Sequence, residues 1–191
     1  MKNILLIIAL ATLNVAFAPD PDSGGRLSDA AIYRSMQYVT YNGTYQSIKY
    51  PMGDIGEYYG VCTDVVIRSY RIGLNVDLQK LIHEDMVANF DKYPTNWGLT
   101  KPDSNIDHRR TQNQECFFKR QGASVPITNN RDDYLPGDLV YYGDIASGHV
   151  GIVVNKFING RPMVVHNIGA GPKCEDFLFK SRITGHYRWL P

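Results

Sequence analysis

The chain has 191 residues, 43% of them hydrophobic and 20% charged, with 20 Lys and Arg against 19 Asp and Glu. That composition supports one globular domain with a real core and excludes wholesale disorder or a fibre. A net charge of +1 leaves no basic surplus for displacing counterions from nucleic acid or docking on anionic lipid, so neither is expected as a partner.

Met1-Lys2-Asn3 leads into an apolar run, Ile4 to Ala18, which closes on Ala16-Phe17-Ala18 in the small-x-small pattern of a secretory signal peptide. At about 15 residues the run is shorter than the roughly 20 that span a bilayer, so residues 1–18 read as a cleavable signal and not as a stable membrane anchor. Pro19 is a poor first mature residue and leaves the cut itself open. The expected location is periplasmic or secreted. Residues 19–27 read as a flexible leader and 28–191 as a single domain.

Ser28 stands before Ile32, Met36 and Val39 at i, i+4 and i+7, which predicts a capped amphipathic helix over about 28–41. Tyr45 to Tyr50 reads as extended. Gly60 to Arg71 predicts a helix stopped by Gly73, with Cys62 in its first turn. Asp77 caps a further helix from Leu78 to Phe90, Tyr93 to Asp107 looks irregular, and Thr111 to Gln121 suits a short helix. From Ser124 the period changes to 2, with strands at Leu139–Tyr142, His149–Val154, Pro162–His166 and Thr184–Trp189. Asn159-Gly160 fits a hairpin connection between the second and third of these. Helices first and an antiparallel sheet second make an α+β domain.

Three cysteines in an exported chain leave at least one without an internal partner. Cys62 is the candidate thiol, because a helix amino terminus supplies free N–H groups and partial positive charge to S⁻. Cys116 and Cys174 are expected to be both buried or paired with each other. His149 opens one strand and His166 closes the next, so the hairpin makes them neighbours, one able to serve as base and the other to orient it. Strand alternation sends His166 and Asn167 to opposite faces, and His166, ending the regular apolar run, is the favoured partner of His149. Singly, each of these residues suits an ordinary place in a core. Together they point to nucleophilic thiol chemistry.

Gly137-Asp138-Leu139-Val140 followed by His149-Val150-Gly151-Ile152-Val153, downstream of a helix-start cysteine, resembles the NlpC-type papain-like peptidases that cut bacterial cell-wall peptides. Gly60-Val61-Cys62-Thr63-Asp64-Val65-Val66, Asn105-Ile106-Asp107-His108-Arg109-Arg110, His166-Asn167-Ile168-Gly169 and Gly185-His186-Tyr187-Arg188 together resemble the bacterial DUF1287 family, from about Ala30 to Trp189. The resemblance implies a papain-like fold with helices packed on an antiparallel sheet, Cys62 as nucleophile, His149 as base and His166 as orienting group. It also implies a peptidoglycan stem peptide as substrate, an amide bond cut through an acyl-cysteine, and no cofactor. The NlpC-type Asp-Cys-Ser-Gly start is here Val61-Cys62-Thr63-Asp64, and about 74–130 reads as a family-specific insertion.

Tyr59, Asp64, Asp107, Arg109 and Arg110 are the candidate substrate-binding residues. An arginine fork suits a carboxylate, and a wall peptide carries several. The equal alternative is that Asp107 and the arginines knit a long loop to the body, and packing is the rival use of Tyr58 and Tyr59. A metal site built on Asp107, His108, His149 and His166 lacks compact ligand spacing and is not expected. A monomer is expected, with an immunity or inhibitor protein as a further candidate partner. An exported binding module of the same fold and a thiol acyltransferase are the competing functions.

Overall fold

The strands of the second half read as apolar runs because both faces of their sheet are covered. A computed structural model of the chain describes residues 22–145 and 148–191, so the signal reading of residues 1–18 lies outside the described residues. Four α-helices, α1 (Ser23–Ser35), α2 (Cys62–Leu74), α3 (Leu78–Ala88) and α4 (Thr111–Arg120), accompany a short parallel pair, β1 (Thr40–Tyr41) with β2 (Tyr59–Gly60). Strands β3 (Leu139–Tyr142), β4 (His149–Ile158), β5 (Arg161–His166), β6 (Lys173–Glu175) and β7 (Ile183–Tyr187) form an antiparallel sheet in the order β6-β5-β4-β3-β7. The architecture is α+β.

The pleat divides the sheet residues between two cores. Leu139, Tyr141, Val150, Ile152, Val154 and Val165 pack with Leu27, Val66, Tyr70, Leu78 and Ile82 of the helices. Val140, Tyr142, Val153 and Val164 pack on the far side with Tyr134 and Leu178. Among the described residues no helix is long and apolar enough to cross a membrane.

Several boundaries differ from the sequence expectation for physical reasons. Helix α1 begins at Ser23, inside the stretch read as leader, and Leu27 is fully buried. Ser28 caps nothing; it is buried within α1, and its Oγ accepts the Asn155 amide of β4 at 2.9 Å. Gly73 does not stop α2, which runs on to a left-handed Asn75. Its missing side chain permits close helix contact, since a Cβ there would lie 2.7 Å from the Arg26 carbonyl oxygen of α1. Tyr45–Tyr50 forms no strand and is pinned instead by Ile48 N–H to Asn105 Oδ1 at 2.9 Å. Strand β6, in the glycine-rich stretch after His166, has no counterpart in the sequence reading.

Candidate active site

Helix α2 starts on Cys62 because the chain arrives extended at Val61 and Asp64, three residues on, accepts the Val61 N–H at 2.7 Å. The thiol is buried at this first turn. Burial pushes it up to about 11, opposed by the backbone amides of Val150, Thr63 and Cys62 itself, which donate toward the sulfur. The Val150 amide is available because the β4–β5 ladder stops at the Gly151–His166 pair, one residue before it. Asn167 secures the same junction, donating Nδ2–H to the Gly60 carbonyl at 3.3 Å.

His149, next to Val150, lies on the sheet face opposite the helices, beside Tyr142 and Phe177. The structure thus brings it to His166 but neither into the Cys62 cleft nor into hydrogen-bond reach of the thiol. Its Nε2 is 2.8 Å from His166 Nδ1. Gly151 stands directly opposite His166, and a Cβ there would meet Val164 Cγ1 at 2.4 Å and His166 Cβ at 3.2 Å, so the bare glycine lets the His166 ring cross β4 diagonally to reach His149. Beyond His166 lies Glu175 of β6, whose Oε2 is 3.6 Å from His166 Nε2. That separation is ion-pair range but too long for a hydrogen bond, which agrees with the buried Nε2 having no hydrogen-bond partner. The carboxylate favours the proton on His166 Nε2. His166 Nδ1 then accepts from His149 Nε2–H, leaving the lone pair on His149 Nδ1.

Burial, reinforced by His166, pushes His149 down to about 3. Burial also lowers His166, with Glu175 opposing it. Phe177 closes the far side, its ring centroid 4.2 Å from that of His166. The set is thus a neutral thiol and two neutral imidazoles, ended by a half-exposed carboxylate.

Cys62 lines a cleft of about 510 Å³ together with Tyr41, Thr63, Trp97, Arg109, Arg110 and others from the start of α4. Asn96, Trp97 and the run from Arg109 to Gln112 therefore build one wall. The candidate substrate residues separate sharply. Arg109 donates Nε to Asp64 Oδ1 at 2.9 Å and Nη2 to Oδ2 at 3.0 Å, and also holds the Asn42 and Thr44 carbonyls at 3.1 and 3.4 Å. Asp64 and Arg109 are thereby occupied with each other. Asp107 is fully buried, and its Oδ2 accepts from the Asp103 amide at 2.7 Å and faces His83 Nδ1 at 3.1 Å. Neither Asp107 nor Tyr59 lines the cleft, and the Tyr59 ring is 45% exposed elsewhere. Arg110 alone of the five stands in the cleft with its guanidinium unengaged by a carboxylate.

Cys116 and Cys174 are half-buried and unpaired, so neither form of the expectation for them holds; they sit apart on α4 and β6. Among the described residues no group of three or more His, Cys, Asp or Glu could hold a metal ion. Sequence reasoning missed Glu175, Trp97 and the Val150 amide. Only Glu175 left a trace, a charged residue two positions beyond a proline-lysine pair.

A family model described as a domain of unknown function, DUF1287, matches residues 28–189. The chain belongs to the DUF1287 family. It is also 46% identical over 166 residues, covering 86% of this chain and 80% of the relative, to the uncharacterized protein YijF of Escherichia coli strain K12. The match spans every element of the site, from α2 through β6.

Proposed function

We propose that this member of the DUF1287 family is an exported cysteine hydrolase with a papain-like fold, cutting an amide bond in peptidoglycan stem peptides through an acyl-cysteine. The observation that carries the reading is Cys62 at the first turn of α2, opening on a cleft of about 510 Å³ with the Val150, Thr63 and Cys62 amides donating toward its sulfur. The His149–His166 pair, 2.8 Å apart, starts one residue from Val150 but on the other face of the sheet. Binding alone needs neither a thiol nor an oriented imidazole. Export rests on Lys2 and the apolar run Ile4 to Ala18, and the wall-peptide substrate on the motif resemblance together with a cleft of amino-acid dimensions at the thiol.

With thiol and imidazole both neutral at rest, the proton moves during attack. For attack the His149 ring has to turn from the far sheet face toward the start of α2. Its Nδ1 then takes the proton as Sγ bonds to the carbonyl carbon, and the displaced electron pair goes to oxygen, which the Cys62 amide at the helix start receives. Positive charge formed on His149 is shared through His166 toward Glu175. Collapse breaks the C–N bond, and His149 returns the proton to the departing amine. A water deprotonated by His149 then cleaves the thioester, releasing the acid and restoring the thiol.

Incubation of residues 19–191 with defined muropeptides, read by mass spectrometry, is expected to show one amide cut, with products absent for Cys62→Ala. Uncut muropeptides in the presence of folded wild-type chain with a free Cys62 thiol would overturn the proposal.

A further inference from the structure

The cleft at Cys62 contains one charge that no acidic side chain among the described residues answers. Its lining includes two arginines and no acidic side chain. Arg109 is neutralised by Asp64. Arg110 makes no ion pair and donates no hydrogen bond among the described residues, and its Nε is buried without an acceptor. Asp107 and Asp103 attract it only from beyond ion-pair distance. The guanidinium instead sits over the Trp97 ring, its carbon 4.2 Å from the centroid.

That arrangement is incomplete as it stands. An arginine keeps its proton, and a partly desolvated cation without a counter-charge is unfavourable. The cation–π contact with the indole restricts the fork, leaving less freedom to lose when it grips a planar anion in two places. The cleft of about 510 Å³ admits an amino-acid residue or two beside the thiol.

We propose that Arg110, backed by Trp97, is the subsite for a free carboxylate on the substrate, placed beside the amide that Cys62 attacks. The substrate class is then a peptide with an unamidated carboxylate next to the scissile bond, and amidation of that group marks a peptide for rejection. The position relative to the scissile bond rests on the hydrolase reading; carboxylate binding itself needs no turnover.

The test uses the Cys62→Ala chain, which binds without cutting, and isothermal titration calorimetry. The probes are a muramyl tetrapeptide with free carboxylates and the same peptide amidated at one carboxylate at a time. One amidation is expected to weaken binding by about tenfold or more, the usual worth of a bidentate charge-assisted pair. In Arg110→Gln the ratio between those two peptides is expected to fall to near unity. Arg110→Lys, which keeps the charge but loses the fork, should retain part of it. No binding of the free-carboxylate peptide, no amidation that weakens it, or an unchanged ratio in both Arg110 variants would each overturn the subsite. Cleavage by the wild type with an Arg110-independent ratio removes the subsite and leaves the hydrolase; an Arg110-dependent ratio without cleavage does the reverse.

Discussion

A buried imidazole can act as a base for Cys62 only if it reaches the thiol with the correct nitrogen bare, and Glu175 supplies the tautomer bias from two residues away. It faces His166 Nε2 at 3.6 Å with its own side chain 42% exposed, so solvent screens much of its influence. For Glu175→Gln we expect kcat to fall by about tenfold, roughly 1.4 kcal/mol of barrier, with KM unchanged, because the tautomer bias weakens while the cleft is untouched. Glu175→Asp should recover part of the loss, and His166→Ala should cost more, since it removes the hydrogen bond to His149 itself. Steady-state kinetics on a muropeptide decides this, and a kcat within twofold of wild type would remove Glu175 from the relay. The histidine pair was legible in the sequence because both residues bound a hairpin whose periodicity is plain. Glu175 was not, because β6 is three residues long and follows a stretch with two glycines and a proline that shows no period at all.

The start of α2 decides where the thiol sits, and a buried ion pair across 45 positions of sequence holds that start in place. Asp64 caps the Val61 amide and takes both sides of the Arg109 fork, which in turn ties down the Asn42 and Thr44 carbonyls behind the cleft. Arg109→Met leaves the Asp64 carboxylate buried and uncompensated, for an expected loss of about 3–5 kcal/mol, read as a lower urea midpoint with unchanged m-value. The double variant Asp64→Asn, Arg109→Met should regain much of it, since no unpaired charge remains. An unaltered midpoint accompanied by a raised KM would return Arg109 to the substrate side. In sequence a buried pair and two exposed charges look the same, which is why both residues read as substrate ligands. The Gly-His-Tyr-Arg motif hid a similar structural role. His186 Nε2 lies 2.8 Å from buried Asp138, and Arg188 donates to the same carboxylate twice at 2.7 Å, locking β7 beside β3. By contrast α2, α3 and strands β3 to β5 were legible to within a few residues, because apolar spacing at 3.6 or 2 is imposed by a core on one or both sides.

The molecule as a whole buries three histidines in neutral form, and that sets its response to acid. Burial holds His108 down to about 3, with Arg71 and Arg109 adding to the effect and Asp77 and Asp54 opposing it, and His149 is likewise near 3. Unfolding exposes these rings to water, where they titrate near 6.5. Between roughly 6.5 and 3 the unfolded chain therefore binds more protons than the native one, so stability is complete above that window and is lost as pH falls through it. At pH 5 the loss is about 2 kcal/mol for each of the two, a sizeable part of the 5–15 kcal/mol that typical domains possess. His166 adds to it in the same direction. We expect the urea midpoint to drop clearly between pH 7 and pH 5. The site contributes through His149 and His166, whereas His108 lies outside the cleft lining. His108→Gln keeps a polar side chain that does not titrate, so the drop should shrink by His108's share while the His149 and His166 shares persist. If the drop from pH 7 to 5 were the same size in His108→Gln as in wild type, His108 would take up no proton on unfolding, and its burial as a neutral ring would have no part in the acid response.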